Sequence, residues 1–288
     1  MIYYNRGTGA AVRLLVSLAS LRRHYTGPVT ILSDGDESHS LCAPIAVALN
    51  AQWRAWTPDI APGRNTTYLA KTLYHTASPY EITVCLDNDT LIVGAIDELF
   101  DRAARAGFAV AQLGDWRSNG ATIGKRIRAW AEWLPELIEP ALAFGPAINC
   151  GVVAFHRDAT LLGEWLRHAI LGRETFIPDE VCCQILLPRH PHTILDGRWN
   201  RSCKHDDPDL PDTRIIHYHG RKHCRPGLPF HAKRWVAAFD EAVEKNPAGV
   251  SHWLPAGDRM LRRFLRWRRR QDSATATARH STLNKVRS

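Results

Sequence analysis

The stretch VCLDNDTLIVGAIDELF, residues 84–100, decides the fold. A mostly apolar strand runs straight into two carboxylates, Asp87 and Asp89, and the chain then turns apolar again. Aspartate is among the residues least often buried without a partner. A buried strand that ends on two acids therefore needs a reason for them.

Working outward from this stretch, short apolar segments alternate with helical ones. MIYYN reads as a strand. Residues 10–24 carry a helical apolar period and end in basic residues, which suit a helix C-terminus. VTILSD is a second strand, apolar enough to be buried on both faces. A helix over 40–50, a short strand around 52–56 and a helix over 67–77 lead to EITVCLD. This βαβ rhythm predicts an α/β protein with a Rossmann-like, mostly parallel sheet flanked by helices. Ligands of such sheets bind beyond the carboxyl ends of the strands, which is where Asp87 and Asp89 stand.

Downstream, FAVAQL is a strand, and residues 114–146 read as irregular apart from a helix at 126–134. INCGVVAFHR is a strand in which Gly151 allows close backbone approach. Helices follow at 160–171 and from PDEVCCQILL, the latter with Asp near its start. HTILDGRWN is a strand entering a loop, and TRIIHYHG a last strand ending in histidines, before a helix at 233–244. Residues 1–258 form one domain. Residues 259–288 are expected to be a basic amphipathic helix, LRRFLRWRRR, and a disordered Ser/Thr/Ala-rich tail.

The charge follows that division. Residues 261–288 hold nine Lys/Arg and one acid, which accounts for the whole net charge of +8. The remaining 260 residues are neutral, which argues against nucleic acid as a partner. The basic helix has the composition of one that lies on an anionic membrane surface, so peripheral membrane contact is an expectation. No run reaches the ~18 apolar residues of a membrane span. The early run AAVRLLVSLAS carries Arg13 in its middle and lacks a basic leader, so it is read as an amphipathic helix rather than a signal segment. Seven scattered cysteines without a CxxC pair point to free thiols in the cytoplasm and away from structural zinc. Cys150, Cys182 and Cys183 read as small packing residues.

Carboxylates at D-x-D spacing on a tight turn can converge on one divalent cation. Hard oxygen ligands suit Mg²⁺ or Mn²⁺, and one added imidazole tilts the choice toward Mn²⁺. Such an ion most naturally bridges diphosphate oxygens and neutralises a leaving group.

LDNDTLIVGAIDELF resembles the signature of the glycogenin-like family 8 glycosyltransferases, which carry L-D-x-D-T-L followed by I-x-E-L-F. Further elements follow in that family's order. Lys71 stands sixteen residues before Asp87. Asn149-Cys150-Gly151 resembles N-S-G. Asp179-Glu180 resembles the D-Q of a helix start, and Gln184 takes that motif's Asn place. His217-Tyr218-His219-Gly220-Arg221-Lys222-His223 resembles H-x-x-G-x-x-K. The resemblance spans residues 71–223 and implies a GT-A fold and a metal-dependent, retaining transfer from a nucleotide-sugar, usually a UDP-sugar. It implies Asp87, Asp89 and His217 as ligands of Mn²⁺ or Mg²⁺. Gly220, Lys222 and His223 would lie along the diphosphate, and Lys71, Asn149 and Gly151 at the donor. Asp179 and Glu180 would face the donor sugar as the catalytic pair, with Asp179 either nucleophile or stabiliser of an oxocarbenium-like state. Glu180 puts a second negative charge where the family pattern has a neutral amide.

Three other classes compete. A nucleotidyltransferase would show a Gly-rich, basic N-terminal loop, of which Arg6–Gly9 is a thin version. A non-catalytic sugar-nucleotide-binding relative would have lost metal or sugar-facing groups. A nucleic-acid module would use the basic tail and survive loss of Asp87 and Asp89. His219 is given no role, and His205, Asp206 and Asp207 read as a solvated turn. The acceptor is expected to be a glycan or a lipid-linked sugar, met by residues 114–146 and the C-terminal third.

Overall fold

The computed structural model describes residues 1–113, 120–202, 211–219 and 230–244. Gly220, Lys222, His223, the 205–207 cluster and the basic segment 259–288 lie outside the described residues. The chain opens with β1 (Ile2–Arg6), α1 (Thr8–Leu21), β2 (Thr30–Asp34), α2 (Asp36–Ala48) and β3 (Gln52–Ala55). Two short helical pieces, α3 (Thr66–Leu69) and α4 (Tyr74–Ala77), flank a tighter turn and precede β4 (Ile82–Leu86) and β5 (Thr90–Ile92). Then come α5 (Glu98–Ala106), β6 (Phe108–Gln112), α6 (Gly120–Arg128), α7 (Pro135–Ala143) and β7 (Ile148–His156). The last described elements are α8 (Thr160–Ala169), α9 (Pro178–Leu186), β8 (Thr193–Leu195), β9 (Arg201–Ser202), β10 (Ile215–His217) and α10 (Phe230–Glu244).

Seven strands form one sheet in the order β3-β2-β1-β4-β7-β6-β8. All pairs are parallel except those of β7, which runs antiparallel to β4 and β6. The sheet is thus mixed and mostly parallel, with helices on both faces. Alternation along the strands sends Tyr3, Val84 and Ala109 to one face and Ile2, Cys85 and Val110 to the other, so each face has its own core. A smaller sheet, β5-β10-β9, packs beyond the ends of the main strands.

Three helical expectations are corrected. Pro135–Ala143, inside the stretch read as irregular, forms α7. The helix expected at 126–134 ends at Arg128, and a turn drops Trp130 into the core at 1% exposure before Pro135 starts α7. The helix expected at 67–77 is broken into pieces. The Asn65 side chain anchors its start by donating to the Arg173 and Thr175 carbonyls, at 2.8 Å each. Among the described residues no helix is long and apolar enough to cross a membrane. Cys42, Cys85, Cys150, Cys182 and Cys183 are free and buried.

Candidate active site

The acid pair sits where the chain leaves the main sheet for the small one. β4 ends at Leu86, the turn carries Asp87, Asn88 and Asp89, and β5 begins at Thr90. Thr90 closes the turn, its N–H and hydroxyl donating to the Asp87 carbonyl at 3.1 and 2.8 Å. The same hydroxyl continues into a buried chain through Ser17 to the Tyr3 phenol, each link 2.9 Å. Asn88 donates to Asn5 at the end of β1. The turn is therefore held in place by Ser17, Tyr3 and Asn5, and both its acids line a cleft.

His217 is brought to them by β10, whose antiparallel register sets His217 opposite Thr90. The residue is 2% exposed. Nε2 lies 3.0 Å from Asp89 Oδ1 and 3.7 Å from Asp87 Oδ2, and Nδ1 lies 2.9 Å from Asn200 Oδ1. Burial works against its charge, but Asp89 and Asp87 outweigh burial and raise its pKa. Asp87, Asp89 and His217 offer ligand atoms that all lie within 4.8 Å of one another. Two carboxylate oxygens and one imidazole nitrogen could together hold a divalent cation. His219 lies beside His217, ring centres 4.9 Å apart and planes tilted by 41°, and pairs with Ser202 at 2.7 Å.

β7 delivers Asn149 and Gly151. Its register against β6 shifts between Val110 and Ala111, so β7 bulges around residues 150–152 and re-aims its side chains. Gly151 O accepts from the Asp87 N–H at 2.9 Å. A methyl group on Gly151 would overlap the His217 ring and meet Asn149 Oδ1 at 2.8 Å, so only glycine lets the histidine lie here.

Lys71 reaches in from the 70–73 turn. Its ammonium lies 2.7 Å from Asp87 Oδ1 and donates to the Cys150 carbonyl at 3.1 Å. Burial opposes its charge, yet Asp87 and Asp179 prevail and raise its pKa. Asp179 and Glu180 occupy the first turn of α9, behind Ile177, a β-branched residue held at φ 44°, ψ 64°. Such a residue in the left-handed region is strained, and strain of this kind gathers at functional sites. Asp179 is 1% exposed, and its Oδ1 is buried without a hydrogen-bond partner. Burial pushes its pKa up to about 7, with Lys71 pulling the other way and Glu180 adding to the rise. Glu180 accepts from Asn149 Nδ2 at 2.7 Å and from the Cys150 N–H at 3.3 Å, and burial raises its pKa. Gln184 ties α9 to β7, accepting from the Ile148 N–H and donating to the Pro146 carbonyl, both at 2.9 Å.

Of these groups Lys71, Asp87 and Asp89 border a cleft of about 520 Å³, which Tyr4, Arg13 and Tyr68 also line. The structure therefore gathers Lys71, Asp87, Asp89, Asn149, Gly151, Asp179, Glu180 and His217 into one neighbourhood. Sequence reading missed polar groups there, Arg13 and Asn200 among them. Arg13, read only as an interruption in an apolar run, lies 3.7 Å from Asp89 Oδ2. Asn200, read only as part of a loop, is 3% exposed and touches both His217 and Asn149. A polar residue straight after the apolar Trp199 was its sole signal.

No protein-family model matches the chain, and no curated protein matches it in sequence. Solved structures do. The chain is similar to the galactosyltransferase LgtC in complex with donor and acceptor sugar analogs, at TM-score 0.59 and 14% identity, covering 83% of this chain and 95% of that one. It is similar to the glycosyltransferase GlyE of Streptococcus pneumoniae TIGR4, at TM-score 0.56 and 14% identity, covering 85% of this chain and 63% of that one. It is also similar to mouse xyloside xylosyltransferase 1, at TM-score 0.52 and 13% identity, covering 76% and 97%. At such identities the likeness establishes the GT-A fold.

Proposed function

We propose that the chain is a metal-dependent, retaining glycosyltransferase of the hexosyltransferase class. It takes its sugar from a nucleotide-sugar, a UDP-sugar before others, and passes it to a glycan or lipid-linked acceptor. The observation that carries this reading is the meeting of Asp87, Asp89 and His217 within 4.8 Å, with both acids on the wall of a 520 Å³ cleft. A cleft of that size suits a ligand of nucleotide-sugar dimensions.

In this reading Asp87, Asp89 and His217 hold Mn²⁺ or Mg²⁺, which when bound supplies positive charge against a departing diphosphate. Lys71 sets a further cation at the same rim. Gly220, Lys222 and His223 belong to the diphosphate side of the proposal. Asn149 and Gly151 shape the sugar end together with Glu180. The bond between the anomeric carbon and the diphosphate oxygen breaks, and its electron pair leaves with the diphosphate. The acceptor hydroxyl forms the new bond on the same face and yields its proton to the departing phosphate oxygen. Asp179 is read as a stabiliser of the cationic sugar rather than a nucleophile. Its carboxyl is buried and pushed up to about 7, and a positive sugar beside it favours the charged form. Contact with an anionic membrane through residues 259–288 stays part of the proposal. Liposome binding unchanged by removal of the residues after Met260 refutes that part.

Calorimetric titration of UDP tests the core of the reading, with Mn²⁺ or EDTA present and beside an Asp87→Ala/Asp89→Ala variant. Binding that needs both the metal and the acids is the expected result. A UDP-sugar panel read by hydrolysis then finds the donor. No binding of UDP, GDP, CMP or dTDP by folded protein overturns the reading.

A further inference from the structure

One hydrogen-bonded chain runs from the candidate cation site to Glu180 at the start of α9. Asp89 Oδ1 meets His217 Nε2 at 3.0 Å, and His217 Nδ1 meets Asn200 Oδ1 at 2.9 Å. Asn200 Nδ2 donates to Asn149 Oδ1 at 2.8 Å, and Asn149 Nδ2 donates to Glu180 Oε2 at 2.7 Å.

The polarity of this chain is dictated from its backbone end. The Gly151 N–H can only donate, and it lies 3.0 Å from the Asn149 side-chain oxygen. That oxygen is therefore an acceptor, and the Asn149 amide NH₂ must face Glu180, whose Oε2 also accepts from the Cys150 N–H. The Asn149 oxygen takes its second bond from the Asn200 NH₂, so the Asn200 oxygen faces His217. An amide oxygen cannot donate, so His217 Nδ1 must carry a hydrogen. The nitrogen left to face Asp87 and Asp89 with a lone pair, once a cation is present, is Nε2. The Asn200 side chain is buried at 3% exposure, and its neighbour Trp199, at 2%, fixes its place.

From this geometry we infer that Asn200 is a positioning residue: it fixes Nε2 as the cation-facing nitrogen of His217 and ties that choice to the orientation of Asn149 and Glu180. The inference rests on the proposed cation site, but not on any nucleotide or sugar. A partner of this kind on the far nitrogen of a ligating histidine is worth roughly 10- to 100-fold in metal affinity.

The test uses the full-length protein and Mn²⁺ alone, titrated by the electron paramagnetic resonance of the free ion. Asn200→Ala should bind Mn²⁺ roughly 10- to 100-fold more weakly than wild type. Asn200→Asp keeps an acceptor for the His217 Nδ1–H and should lose less affinity than Asn200→Ala. It cannot donate to Asn149, so it should cut the chain at that link. Selective ¹⁵N labelling of asparagine reads this second effect. The Asn149 side-chain amide signal should move on addition of diamagnetic Mg²⁺ in wild type and stay in place in Asn200→Asp. Wild-type affinity in Asn200→Ala overturns the inference, as does an Asn149 shift that persists in Asn200→Asp. If Asn200→Ala does not fold, the Asn200→Asp readings decide alone, and its losing Mn²⁺ counts against the inference. A protein that binds Mn²⁺ as described but no nucleotide would sink the transferase reading and leave this one standing.

Discussion

Lys71 Nζ and Asp87 Oδ1 lie 2.7 Å apart, so a lysine shares the carboxylate that is offered to a cation. With Arg13 near Asp89, each acid of the pair has a positive neighbour. The acids are charge-compensated before any metal or diphosphate arrives. Lys71→Met removes a like charge from beside the cation site, so Mn²⁺ alone should bind at least as tightly as to wild type. In the proposed reading a UDP-sugar in the presence of Mn²⁺ should bind about tenfold more weakly or worse, because a charge-assisted partner of the donor is gone. Calorimetry reads both, and unchanged UDP-sugar affinity would remove Lys71 from the proposed donor site.

Gly151→Ala should displace His217, since the added methyl overlaps its ring. Overpacking of this kind costs about 1–3 kcal/mol, seen as a lower denaturation midpoint. Mn²⁺ affinity should fall together with stability. A variant that keeps wild-type affinity would show that the ring can shift without losing its role.

Asp179 makes stability depend on pH. Its pKa is raised from 3.8 to about 7 by burial. The native state then holds a proton that the unfolded state has released, across the window from about pH 4 to pH 7. The contribution is fully present below about pH 4 and is lost as pH rises through 7, up to roughly 4 kcal/mol in all. Urea denaturation of metal-free protein from pH 4 to pH 8 should show a shallower decline for Asp179→Asn than for wild type. Parallel profiles would mean that the carboxyl is less isolated in solution than its unpartnered Oδ1 implies.

Gln184→Leu leaves the buried Ile148 N–H and the Pro146 carbonyl without their partner. An unsatisfied buried group costs about 1–3 kcal/mol. Because the same glutamine anchors α9 to β7, turnover should fall with stability, read as kcat beside the thermal midpoint. Loss of neither would mean that water replaces the amide.

The sequence by itself determined what is local. Alternating apolar strands and amphipathic helices are written in the near-neighbour pattern, and so is an acid pair placed straight after a buried strand. Lys71, Asp87, Asp89, Asn149, Gly151, Asp179, Glu180 and His217 could be placed by spacing and resemblance, and the structure brings them together. The tertiary structure decided everything that depends on which strands become neighbours. Nothing in INCGVVAFH says that β7 will insert antiparallel between β4 and β6, or that it will bulge at the point where Gly151 faces His217. Pairing order is a property of the whole sheet, because each strand is apolar enough to suit several partners. Arg13 and Asn200 were illegible for the same reason. Each stands far from the acids along the chain, and only the packing of α1, and of the loop after Trp199, carries them to Asp89 and His217.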